Sequence, residues 1–167
     1  GIVKLADEGI VRLVWRPTTF LDNNLGNDSS LRAAAAFGCA IDAGKAKEFH
    51  ATVFANQPEQ EGTGYTDDQL ISFGEKAGIT GTDLDTFKTC VADGTYLTWA
   101  ANSTSIFYSS GVQGTPTATL DGKDVPTATL VDEAALRAFV TSDGAAASTA
   151  SASPEPFSSV SPAPSAS

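Results

Sequence analysis

The chain contains no methionine, so as it stands it reads as a processed or truncated product, with something removed upstream of Gly1. Basic residues are scarce: 10 Lys and Arg face 20 Asp and Glu, for a net charge of −10 and a pI near 4.3. That balance argues against a nucleic-acid or anionic-membrane surface, both of which need clustered positive charge. Histidine occurs once and cysteine twice, at Cys39 and Cys90, too few and too scattered to complete the four ligands of a zinc site. No apolar run approaches the roughly 18 residues that span a bilayer. The opening GIVKLADEG lacks the charged-then-apolar pattern of a signal peptide.

What is present describes a globular protein. Over 167 residues, 41% are hydrophobic and 18% charged, which suits one domain with a real core. The two cysteines are 51 positions apart. Spacing alone leaves two readings open: buried free thiols, or one disulfide in an oxidising compartment.

Periodicity divides the chain. Ile2, Leu5 and Ala6 have helical spacing and suggest the tail of a helix over 2–7, broken by Gly9. IVRLVW, Ile10–Trp15, is apolar on both faces and reads as a central strand ended by Arg16-Pro17. FLDNNLGNDSS reads as a polar loop. Asp28, Ser29 and Ser30 are candidate N-caps for LRAAAAFGCAIDAG, in which Leu31, Ala35 and Cys39 share a face and Gly44 is the stop. A helix in KAKEFHATVFAN carries Phe49, Val53 and Phe54 on its apolar stripe. Thr66 caps DDQLISFGEKAG, and Thr82 caps DLDTFKTCVADG, where Leu84, Phe87 and Val91 repeat at helical spacing. YLTWAANSTSIFYSSG, with Leu97, Ile106 and Phe107, makes a fifth helix stopping at Gly111.

The next segment, GVQGTPTATLDGKDV, changes character. Asp121-Gly122 between two short β-rich runs signals a hairpin with a type I′ turn. Proline has no N–H to give a sheet, so Pro116 belongs at a strand entry. With Gly114 just ahead, Thr115-Pro116 is also a candidate for a cis peptide bond. DEAALRAFV then forms a closing helix with Leu136, Phe139 and Val140 inward. From Gly144 the composition turns to Ala, Ser, Thr and Pro, with Glu155 as the one charge. Such a stretch cannot bury enough surface to offset its ordering entropy, so 144–167 reads as a disordered tail, suited to a cell-envelope spacer.

A strand, a helical block over about 28–111, then G-T-P-T opening a DG hairpin and a closing helix, resembles the thioredoxin fold in its DsbA-like form. RLVWRPTTFLD, SSLRAAAAFGCA, KEFHATVFANQPEQEGTGYTDDQL and GVQGTPTATLDGK resemble segments of that family in the same order, so the likeness covers about residues 1–142. It implies an α/β thioredoxin-like domain over 1–143 with an inserted all-helical block. The family's first strand and the start of its first helix are missing from the sequence.

The resemblance also implies chemistry. Family members exchange disulfides through a C-x-x-C pair at a helix N-terminus, where the dipole stabilises a thiolate. Their cis-proline loop packs beside that pair and docks client peptide in strand fashion. Carried onto this sequence, Gly114, Thr115 and Pro116 are the substrate-binding residues. Cys39 and Cys90 become a structural disulfide of the helical block, closing a loop worth roughly 4 kcal/mol. No C-x-x-C occurs here, so no catalytic residue is present, and truncation before Gly1 is the reading preferred over evolved loss.

Function is therefore expected in an extracytoplasmic thiol–disulfide oxidoreductase, seen as a catalytically incomplete chain. The competing reading is a redox-inactive thioredoxin-fold module that binds peptides or partners at the cell envelope. The expected partners are cysteine-containing client proteins or peptides, met by a monomer without cofactor, metal or nucleic acid. The parent would be secreted or membrane-anchored at a bacterial envelope.

Weaker signals carry less. His50 sits among apolar neighbours and reads as a helix-boundary residue, with no positioned serine to make a triad. Asn27-Asp28-Ser29 and Asn102-Ser103-Thr104 match a glycosylation pattern that is common by chance. Asp67-Asp68 and Asp132-Glu133 fall in first helical turns, where the dipole favours acids.

Overall fold

A computed structural model describes residues 1–60 and 62–147. Among the described residues two units emerge: Val14–Gly114, which is helical, and a second made of Gly1–Leu13 with residues 115–147.

The helical unit is built around α3 (Ser29–Asp42). Its run of Ala34, Ala35, Ala36, Gly38, Cys39 and Ala40 is buried on nearly every side. A helix that is small and apolar all round belongs at the centre of a bundle, because its neighbours can approach closely. Gly38 shows how closely: a β-carbon there would collide with the Tyr96 ring. Around α3 lie α2 (Phe20–Leu25), α4 (Ala46–Ala55), α5 (Asp67–Lys76), α6 (Gly81–Ala92) and α7 (Leu97–Ser109). Phe49 of α4 and Phe87 of α6, both 1% exposed, meet edge-to-face at 5.7 Å. Leu70, Phe73 and Ile79 complete that core.

Local chemistry sets the helix ends. Thr66 and Gln69 form a reciprocal capping box, each side chain accepting from the other's backbone N–H. At α3 the N-terminal donors are satisfied from elsewhere. The N-cap residue is Asp28, but its side chain makes no capping bond. Instead the buried Asp22 carboxylate accepts from the backbone N–H of Ser30 and of Leu31, both at 2.8 Å. The polar segment around Asp22 is thus a short helix, α2, rather than a loop. It has too few turns to show a hydrophobic period, and it is held by the cap it supplies. Asp22→Ala should cost about 1–2 kcal/mol of stability, as lost N-caps do. Chemical denaturation checks this, with Asp22→Asn expected to retain most of the loss.

Three further readings need correction. The α6 cap falls at Thr80, and the helix starts at Gly81, two residues before the expected Thr82 cap. Phe54 is 58% exposed, off the buried stripe of Phe49. Residues 10–15 form no assigned strand, and Ile10 and Val14 are exposed rather than buried on a second face. Among the described residues no strand runs beside them, and without a ladder partner an extended segment is not part of a sheet. Their apolar residues are used all the same: Val11 packs on the core of the second unit, and Trp15 on the helical core.

The second unit joins α1 (Ile2–Asp7), the hairpin strands β1 (Ala118–Leu120) and β2 (Lys123–Val125), α8 (Thr127–Val131) and α9 (Glu133–Ala147). The strands pair antiparallel with Leu120 opposite Lys123. Asp121 and Gly122 both have positive φ, 49° and 83°, as a type I′ turn requires. Leu5, Val125, Leu136 and Val140 are the buried core. Two ion pairs align α1 with α9: Lys4 with Glu133, and a two-point Arg137–Glu8 pair. Hydrogen bonding to Arg137 lowers the Glu8 pKa, and hydrogen bonding to Lys4 lowers that of Glu133. Exposed pairs of this kind fix register more than they add stability. Helix α9 continues to Ala147, into the first residues of the Ala/Ser/Pro-rich segment. The remainder of that expected tail lies outside the described residues.

Candidate functional site

The loop entering β1 is made from Gly114, Thr115 and Pro116. Proline cannot extend a ladder through its nitrogen, so the hairpin begins two residues later at Ala118. The Thr115–Pro116 peptide bond is cis. Thr115, Pro116 and Thr117 are all exposed. Among the described residues, neither the backbone N–H nor the C=O of Thr115 has a hydrogen-bond partner. Buried peptide groups are nearly always paired, so exposed unpaired ones are groups that water or another chain must satisfy. Within the described sheet β1 pairs only with β2. An extended segment laid along Thr115 would meet an N–H and a C=O that have no partner among the described residues.

The two cysteines are joined. Cys39 on α3 and Cys90 on α6 form a disulfide, with their Cα atoms 5.9 Å apart. Cys39 is buried and Cys90 half-buried. This bond belongs to the helical unit, whereas Thr115 and Pro116 open the second one. The structure therefore joins Cys39 to Cys90, while Gly114 ends the helical unit and Thr115 and Pro116 open the second.

Two features escaped sequence reasoning. Tyr96 donates a 2.6 Å hydrogen bond to Asp42, and this, helped by burial and the carboxylate charge, pushes the phenol pKa up to about 12. Nothing in the sequence links positions 54 apart; Asp42 ends α3, and the Tyr96 ring packs against that helix at Gly38. The other is an aromatic stack. The His50 ring lies flat on Trp15 at 4.8 Å and against Phe54 at 4.5 Å, and burial lowers its pKa. The helical i, i+4 spacing of His50 and Phe54 was a visible signal for half of it. Half-buried and stacked in this way, His50 sits at the helix boundary as expected, and its ring is used for packing.

Comparison with known proteins agrees with this architecture. The family model described as Thioredoxin matches residues 2–141. Oxidised DsbA of Mycobacterium tuberculosis is 28% identical, with a TM-score of 0.68 over 89% of this chain and 78% of that one. The reduced disulfide bond oxidoreductase DsbG from the same organism is 29% identical, also at 0.68, over 90% of this chain and 74% of that one. No curated protein shows significant similarity. The fold is thioredoxin-like, with an inserted helical block interrupting the small sheet unit. The chain belongs to the thioredoxin family, in its DsbA-like form.

Proposed function

We propose that this chain carries the client-docking part of an extracytoplasmic thiol–disulfide oxidoreductase of the DsbA-like family. The observation that carries the reading is the exposed Thr115–Pro116 loop, with Thr115 offering an unpaired backbone donor and acceptor beside a short strand. Strand addition at such a point gives affinity through main-chain bonds and tolerates many client sequences. Gly114, Thr115 and Pro116 are the substrate-binding residues, and the clients are proteins or peptides that present cysteine. The Cys39–Cys90 bond supports residence in an oxidising compartment, secreted or anchored at a bacterial envelope. The working unit is a monomeric domain over 1–143, followed by a spacer-like tail.

Residues 1–167 hold no C-x-x-C pair, so on this reading the chain alone is catalytically incomplete. It should leave insulin reduction by dithiothreitol at the uncatalysed rate, and should not oxidise a model dithiol peptide. Turnover in either assay overturns the proposal, because Cys39 or Cys90 would then be the nucleophile. The coding sequence upstream of Gly1 separates the enzyme from a redox-inactive peptide-binding module. A strand followed by C-x-x-C supports the enzyme; a signal peptide joined directly to Gly1 supports the module.

A further inference from the structure

The Cys39–Cys90 disulfide is approachable from one side. Cys39 is 2% exposed inside the helical core, surrounded by Ala36, Ala40 and their neighbours. Cys90 instead lines a shallow cleft of about 480 Å³. The rest of the cleft comes from Asp42 at the end of α3, from Thr82, Asp85, Thr86 and Thr89 on α6, and from Asp93 and Thr95 just beyond it. The spacing along α6 explains why they gather. Thr82, Thr86 and Cys90 are four apart, as are Asp85, Thr89 and Asp93, so the two rows run side by side on one helix face. Thr86 and Thr89 turn their hydroxyls back to carbonyls of their own helix, at Thr82 and Asp85. The opening is thus left with three carboxylates and no lysine or arginine among its lining residues.

Thiol–disulfide exchange begins with a thiolate, and its direction depends on which sulfur is reached and which leaves. We propose that the Cys39–Cys90 bond is opened only through Cys90, and that Asp42, Asp85 and Asp93 make that opening selective against anionic thiols. An incoming thiolate attacks Cys90 Sγ and forms a mixed disulfide. The Cys39–Cys90 bond breaks, and its electron pair leaves on Cys39, which then takes a proton from solvent. A second thiolate attacks the mixed disulfide, releasing Cys90 as a thiolate and leaving the reductant as its own disulfide. Two reductant thiols are oxidised and one protein disulfide is reduced. Like charge at the cleft raises the barrier to the first step in proportion to the charge that the reductant carries. The bond is thereby guarded from thiols that carry carboxylates, while neutral and cationic thiols still enter. This inference stands apart from the client-docking reading, since it concerns the other unit and another sulfur chemistry.

The test measures reduction rates of the intact chain with cysteamine, 2-mercaptoethanol and 3-mercaptopropionate at equal thiolate concentration and low salt. Each rate is divided by that for an unstructured disulfide peptide, which removes intrinsic nucleophilicity. Normalised rates should fall in that order, with 3-mercaptopropionate roughly ten-fold slower than cysteamine. The spread should collapse to within about two-fold in D85N/D93N and at 0.5 M salt. That pair leaves the Asp42–Tyr96 hydrogen bond intact, and a far-UV circular dichroism spectrum matching the native chain is the control for its fold. Peptide mapping after acid quench should find the trapped mixed disulfide on Cys90. Equal normalised rates in the native chain, an undiminished spread in D85N/D93N, or a mixed disulfide on Cys39 would each overturn the proposal.

Discussion

Alanine at both Cys39 and Cys90 is expected to lower the thermal midpoint by about 10–20 °C, the largest stability effect of any conservative change in the helical unit. The bond closes a 51-residue loop. In the loop-entropy account such a cross-link removes roughly 4 kcal/mol of freedom from the unfolded chain. Removing the buried Cys39 sulfur adds a smaller packing cost, about 1 kcal/mol, because small-to-smaller core changes leave little cavity. The native helices need not move, since α3 and α6 also meet through the Phe37, Phe49 and Phe87 core. The loss should therefore appear as easier unfolding of an intact fold. Far-UV circular dichroism melts of the native, reduced and double-alanine forms check it. Reduced and double-alanine chains melting together, well below the native one, is the expected pattern. Midpoints within 2 °C of the native chain would mean that the unfolded state is already held compact without the bond.

Thr115→Pro should weaken binding of an extended client peptide at least ten-fold, whereas Thr115→Ala should change it by about two-fold or less. The contrast follows from where the bonds lie. The Thr115 N–H and C=O are unpaired among the described residues, and strand pairing uses those groups rather than the hydroxyl. Proline deletes the donor and restricts the backbone on which the acceptor sits. A net hydrogen bond is worth about 1 kcal/mol, so losing one bond and disturbing its partner comes to about ten-fold in affinity. Alanine leaves both groups in place. N-methylation of the facing peptide residue should reproduce the loss on the unchanged chain, which separates docking from any effect of proline on the loop. Isothermal titration calorimetry reads all of these.

Much of this was legible in the residues because local chemistry and fold agree there. Asp121-Gly122 demanded a type I′ turn and received one. Thr66 announced a helix start, and Gly44 and Gly111 announced stops. Leu136 and Val140 lie in the core that their spacing implied. The candidate loop at 114–116 was visible because proline restricts the backbone and lacks an N–H wherever it occurs, while the glycine before it frees the chain to turn.

What escaped has one physical cause, dependence on partners distant in sequence. Asp22 looked like loop polarity because its value lies in two N–H groups eight and nine residues on. Ile10–Trp15 looked like a central strand because apolar composition on both faces suggests burial there, yet it cannot tell whether a ladder neighbour exists, and Ile10 and Val14 are exposed. The α6 cap moved from Thr82 to Thr80 because Gly81 and Thr82 both tolerate the first turn and nothing local separates them. The acidic cleft beside Cys90 needed Asp42 from α3 to meet a face of α6, and pattern on either helix alone gives only half of it.

The most direct test of the docking account is a nuclear magnetic resonance titration of the 15N-labelled chain with an extended peptide bearing one blocked cysteine. The account predicts dose-dependent shifts at the amides of Gly114, Thr115 and Thr117, spreading into β1 at Ala118–Leu120 and absent in Thr115→Pro. Shifts confined to the helices between Ser29 and Ser109, or none up to millimolar peptide, would contradict it.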